Sequence, residues 1–95
     1  MAGKVNILGS GPSGKVQYSE GFLKKNTCEF YWEFGGGNVL ATVWFPAEDQ
    51  WDAKYPWARG RHKEILTAVA DQVRRKQAPS SQIQWENDRF HLVTK

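Results

Sequence analysis

Ninety-five residues are room for one domain, which at this size buries only about 60–65% of its unfolded surface, so a single core must serve the chain. With 40% hydrophobic and 24% charged residues it reads as globular. A net charge of +3 and a pI near 9.2 fall short of the basic excess of a dedicated DNA clamp, and a lone Cys28 excludes an internal disulfide or thiolate metal cluster.

No apolar run approaches the roughly 20 residues of a membrane helix. After Lys4, only Val-Asn-Ile-Leu precedes the glycines, too little for a secretory h-region. The expectation is a cytoplasmic chain with no membrane partner.

Residues 1–14 are rich in Gly, Ser and Pro and read as a flexible lead-in, with Val5–Leu8 able to dock as a short strand. Within them Gly9, Gly11 and Gly14 match the dinucleotide fingerprint G-x-G-x-x-G. Gly9, Gly14 and Lys15 match all but the last position of a P-loop. Both motifs need a helix immediately afterwards, whose N-terminal N–H groups receive the phosphate. Lys15–Glu20 instead alternates, with Val16 and Tyr18 on one side, and Val16 replaces the hydroxyl that would hold magnesium. No nucleotide and no cofactor are expected, despite the GSGPSGK loop.

The domain proper is expected over 15–95. Lys15–Glu20 is the first strand and Gly21–Asn26 a basic turn. Thr27–Phe34, TCEFYWEF, then puts Cys28, Phe30, Trp32 and Phe34 on one face and Thr27, Glu29, Tyr31 and Glu33 on the other, the period of a half-buried strand. Three glycines turn the chain, and Asn38–Phe45 returns as its hairpin partner. NVLATVWF is apolar on both sides, so its register is open between Val39, Ala41 and Val43 facing inward and Leu40, Thr42 and Trp44 doing so. Small and branched residues suit a helix contact, which favours the Ala41 set.

In Pro46–Tyr55 a proline and acids suit a first helical turn, and Pro56 breaks that short helix. Trp57–Gln77 reads as one long helix with a buried stripe of Ala58, His62, Ile65, Leu66, Val69 and Val73. Asp71 and Arg75 stand i, i+4 on its surface, and Pro79 ends it. Gln82–Asn87 and Arg89–Thr94 read as a final strand pair about an Asn87-Asp88 turn. The expected fold is α+β: an antiparallel sheet of about five strands, β-β-β-α-β-β, with one long amphipathic helix on one face.

Catalytic chemistry finds no constellation. His62 lies on the apolar stripe, His91 lacks a partner identifiable in sequence, and Cys28 faces the core as an inert thiol. Two histidines without ligand spacing make no metal site. What remains is the uncovered sheet face, expected to carry Tyr31 and Trp44 flanked by Glu29, Glu33, Gln84, Arg89 and His91. Flat rings among hydrogen-bonding groups suit a protein partner or a second copy, so a small non-enzymatic interaction module is the expectation. The alternative is nucleic-acid or anion binding along a basic helix edge of Arg59, Arg61, Lys63, Arg74 and Arg75, unless Asp49 and Asp52 neutralise its first half.

Overall fold

The computed structural model describes residues 3–21 and 26–94. Strands β1 (Lys4–Ser10), β2 (Ser13–Ser19), β3 (Thr27–Phe34), β4 (Val39–Trp44), β5 (Gln82–Trp85) and β6 (Arg89–Val93) form one six-stranded sheet in the order β1-β2-β3-β4-β6-β5. Every pairing in it is antiparallel. Between β4 and β5 the chain passes through α1 (Glu48–Lys54), a 3-10 turn at Pro56–Ala58, and α2 (His62–Gln77). The α+β class and the antiparallel sheet stand as read from sequence. The details change: six strands replace about five, and two α-helices replace one.

The sixth strand comes from the residues read as a lead-in. Lys4–Ser10 pairs with β2 along its whole length, so the glycines belong to a hairpin. Gly9 lies opposite Gly14, and Gly14 lies opposite Trp32 on β3. A Cβ on Gly14 would stand 2.0 Å from the Leu8 carbonyl oxygen and 2.8 Å from Trp32 Nε1. The Trp32 indole lies over this bare backbone and donates from Nε1 to the Leu8 oxygen at 3.0 Å. An aromatic ring roofing a strand glycine restores the packing that the missing side chain forfeits. Where a dinucleotide fingerprint would start a helix, this chain starts β2.

The long helix is shorter than its periodicity implies. Trp57 and Ala58 lie in the 3-10 turn, Gly60 takes φ +74°, and only at His62 does regular helix begin. The expected basic turn at Gly21–Asn26 falls on residues 22–25, which lie outside the described residues.

The hairpin register places Ala41 and Val43 inward, while an irregularity between Val39 and Ala41 pairs Val39 with Val93 and takes it out of that alternation. Tyr31 opposes Trp44 and Trp32 opposes Val43, so Val43 and Phe45 are buried while Trp44 turns to the other face. Val5, Val16, Tyr18, Cys28, Phe30, Phe90 and Leu92 complete the sheet's side of the core, against Ile65, Leu66, Val69, Ala70 and Val73 of α2. Six strands at about 4.8 Å spacing span about 24 Å, and a helix is only about 10–12 Å wide. Helix α1 and the 3-10 turn therefore have to cover what α2 cannot.

They do so with Trp51, which is fully buried. Its ring stacks on Phe30 at 6.2 Å, meets Tyr55 edge-on at 4.9 Å and His62 at 5.2 Å, and its Nε1 donates to the Ala58 carbonyl at 2.9 Å. That last bond ties α1 to the turn that follows it. Removing the ring by Trp51→Ala should cost about 3–5 kcal/mol of unfolding free energy, the range for large aromatics lost from a core, as read by chemical denaturation.

Candidate interaction surface

Both helices sit on one face, and side chains of alternate parity make up the other. There the pairing aligns Leu8, Lys15, Tyr31, Trp44 and Arg89 in one row across five strands. The row on one side carries Ser13, Glu33, Thr42, His91 and Gln84, and the row on the other carries Asn6, Gln17 and Glu29. The sequence-derived set of Tyr31, Trp44, Glu29, Glu33, Gln84, Arg89 and His91 thus converges on three adjacent rows of the same face. Among the described residues no second layer lies over these rows, and Tyr31 is 47% exposed beside Trp44, its ring centroid 5.6 Å away.

Polar side chains around the rings are largely paired with one another. Glu29 takes Lys15 at 3.1 Å and Gln17 at 3.0 Å. Hydrogen bonds from Gln17 and then Lys15 hold its carboxyl below the ordinary value. The Tyr31 hydroxyl donates to Glu33 at 3.2 Å, and Arg89 pairs with Asp88 at 2.8 Å. His91 is held at both ring nitrogens, Nδ1 by Thr42 at 2.7 Å and Nε2 by Glu86. A ring bound at both nitrogens is fixed in orientation, so His91 serves as a wall of this surface.

One corner of the face is a recess of about 300 Å³ lined by Glu29, Tyr31, Trp44, Pro46, Gln50, Lys54 and Tyr55 among others. It exists because β4 leaves the sheet at Pro46 while β3 continues beside it toward Thr27. The strand edge exposed there is closed by a side chain. The Tyr55 hydroxyl donates to the Glu29 carbonyl at 3.1 Å and accepts from the Glu29 amide at 3.4 Å, standing in for the missing strand. Nothing in the local sequence around Tyr55 or Glu29 signals this pairing.

The basic residues of the alternative site are spread out and mostly occupied. Arg59 stands 3.7 Å from Asp52, whose other oxygen accepts from the Gly60 amide at 3.0 Å. Of the two acids expected to neutralise this cluster only Asp52 does so; Asp49 forms no ion pair among the described residues. Arg61 is gripped instead by Glu20, at 3.0 and 2.7 Å in a fork, and by Glu64 at 2.6 Å. Arg74 and Arg75 share Asp71 at 3.2 and 3.1 Å, the second being the i, i+4 pair read from sequence. Of the five, Lys63 alone makes no ion pair among the described residues.

The groups with catalytic potential are built into the scaffold. His62 Nε2 bonds the Pro46 carbonyl at 3.1 Å, and its ring packs edge-on against Phe45 and Trp51. Burial pushes the Cys28 thiol up to about 12. Comparison with protein-family models, with curated proteins and with solved structures finds no match to this chain. The surface therefore has to be read from its own chemistry.

Two outcomes follow for the charged and thiol groups. Glu20 receives the Arg61 fork and the Tyr18 hydroxyl at 2.5 Å, and the Arg61 bonds chiefly hold its carboxyl below the ordinary 4.5. A carboxyl lowered by folding stabilises fully above its unfolded value and loses that contribution as pH falls through the folded one. Wild-type stability should therefore decline from about pH 4.5 downward. Glu20→Gln should be less stable at pH 7 with a flatter acid limb, measured by urea unfolding across pH. Cys28, with no exposed surface, should react with a disulfide reagent only as fast as the protein opens, and at the ordinary thiol rate in denaturant.

Proposed function

We propose that this chain is a small non-enzymatic interaction module that engages a protein partner, or a second copy of itself, through the outer sheet face. The observation that carries the reading is the Tyr31–Trp44 ring contact in the middle of an unroofed sheet, with Tyr31 47% exposed. Aromatic rings at the centre of a patch, ringed by polar groups that exclude water, are the usual anchors of protein interfaces. The polar ring here consists of Glu29, Glu33, Gln84, Arg89 and His91, and several of these are pre-positioned by partners within the fold. Such groups lose little freedom when another surface arrives.

The recess beside Tyr55 is open to solvent and takes up one corner of the face, which favours a broad macromolecular contact over an enclosed small molecule. Acids pair with Arg59, Arg61, Arg74 and Arg75, which leaves a weak electrostatic footprint for nucleic acid.

Sedimentation velocity over a hundredfold concentration range, run on wild type and on Trp44→Ala, tests the reading. Expected is either self-association that the substitution weakens about tenfold or more, or a monomer whose capture of a partner is weakened as much. A monomer whose solubility and partner capture are both indifferent to Trp44→Ala would remove the reading. Tight binding of mixed oligonucleotides at low salt that collapses with added salt would replace it with the basic-edge alternative.

A further inference from the structure

The two edges of the sheet are finished differently. In an antiparallel pair, residues alternate between directing N–H and C=O at the neighbour and directing them away. At the β1 edge the outward carbonyls of Gly3 and Val5 are taken by helix α2, from Gln72 Nε2 at 3.2 Å and Lys76 Nζ at 2.7 Å. The helix covers the start of that edge.

At the other edge, the Glu86 amide donates to the Arg89 carbonyl at 2.8 Å, so Glu86, and by alternation Gln84 and Gln82, face β6. The backbone groups of Ile83 and Trp85 then point away from the sheet. Among the described residues no side chain bonds them.

Beside this open edge, on the helix side, lies a cleft of about 350 Å³. Its walls are Phe45, Leu66 and Trp85, a residue left 47% exposed. Glu48 and Glu86 stand at its rim with Lys63, an excess of one negative charge.

We propose that β5 and this cleft form a strand-addition site for an extended peptide that carries one bulky apolar side chain next to a Lys or Arg. The open backbone edge selects an extended chain, because only that presents donors and acceptors at the spacing Ile83 and Trp85 require. Alternate side chains of an added strand point to the helix side, which puts one of them in the cleft against Trp85 and Leu66. The rim carboxylates favour a cation beside it. A second β5, Gln82–Trp85, carries no Lys or Arg to meet the rim carboxylates, which sets the peptide ahead of a second copy as the occupant. This site lies apart from the Tyr31–Trp44 face and does not depend on it.

The test begins with a phage library of random hexapeptides selected on the full chain. Enrichment of a bulky apolar residue adjacent to Lys or Arg is expected. The best hexapeptide, made synthetically and titrated into ¹⁵N-labelled protein, should shift the amides of Ile83, Trp85 and residues 62–67. N-methylation of its alternate backbone nitrogens should weaken binding about tenfold, the loss of one to two hydrogen bonds. Thr67→Arg, a change at an exposed helix position that fills the cleft, should weaken it similarly. Trp44→Ala should leave it unchanged.

No enrichment, indifference to N-methylation, or shifts centred on Tyr31 and Trp44 would each overturn the proposal. So would a dimer that Ile83→Pro abolishes, which would assign the edge to a second copy.

Discussion

A β-sheet has two faces, and this chain has enough helix for one. That mismatch governs the molecule. The inner face takes nearly all the large apolar side chains of the sheet, since α2 and the α1 turn can bury them there. The outer face is left to alternate residues, and these are mostly polar, with Leu8, Tyr31, Trp44 and Val93 among the apolar exceptions. A sheet of six strands around one helix would still leak at its margins if the remaining inner surface were not filled by Trp51, Tyr55 and Ala58. The short elements before α2 are thus part of the core.

Polar contacts then fix where the helical layer sits. Arg61, just ahead of α2, reaches back to Glu20 at the end of β2, and Glu20 is in turn bound by the Tyr18 hydroxyl, which also accepts from the Gly3 amide at 3.0 Å. Burial, with the Glu20 bond, pushes the Tyr18 phenol up to about 12, so it stays protonated as a donor to Glu20. A charge-assisted fork of this kind is directional where hydrophobic burial is not. It selects one position of the helix along the strands. From that position Gln72 and Lys76 fall opposite the edge of β1.

Much of this layout is legible in the sequence because it is local. The alternation of TCEFYWEF fixes which face Tyr31 belongs to, and the stripe from Ile65 to Val73 identifies the helix that covers the opposite one. Those two patterns are enough to place Tyr31, whereas Trp44 depends on the register of β4, which the sequence leaves open. The residues that sequence analysis missed act over long separations. Lys4–Ser10 reads as a lead-in because its glycines look like a breaker, and their role depends on Trp32, more than a dozen residues away. The interruption between Pro56 and Gly60 divides a continuous apolar stripe, which periodicity alone cannot detect. Arg61 looks misplaced at a helix N-terminus until Glu20 is brought beside it. The cleft at Trp85 is visible only once α2 and the end of β5 are brought side by side.

The two bonds that α2 makes at the start of β1 have a further consequence for assembly. A sheet with two bare margins can recruit copies indefinitely and run on as a fibril. To pair along the whole of β1, a foreign strand would first have to displace Gln72 and Lys76 from the carbonyls of Gly3 and Val5. Lateral recruitment on that side therefore works against contacts the molecule already makes, and the two margins are unequal as templates.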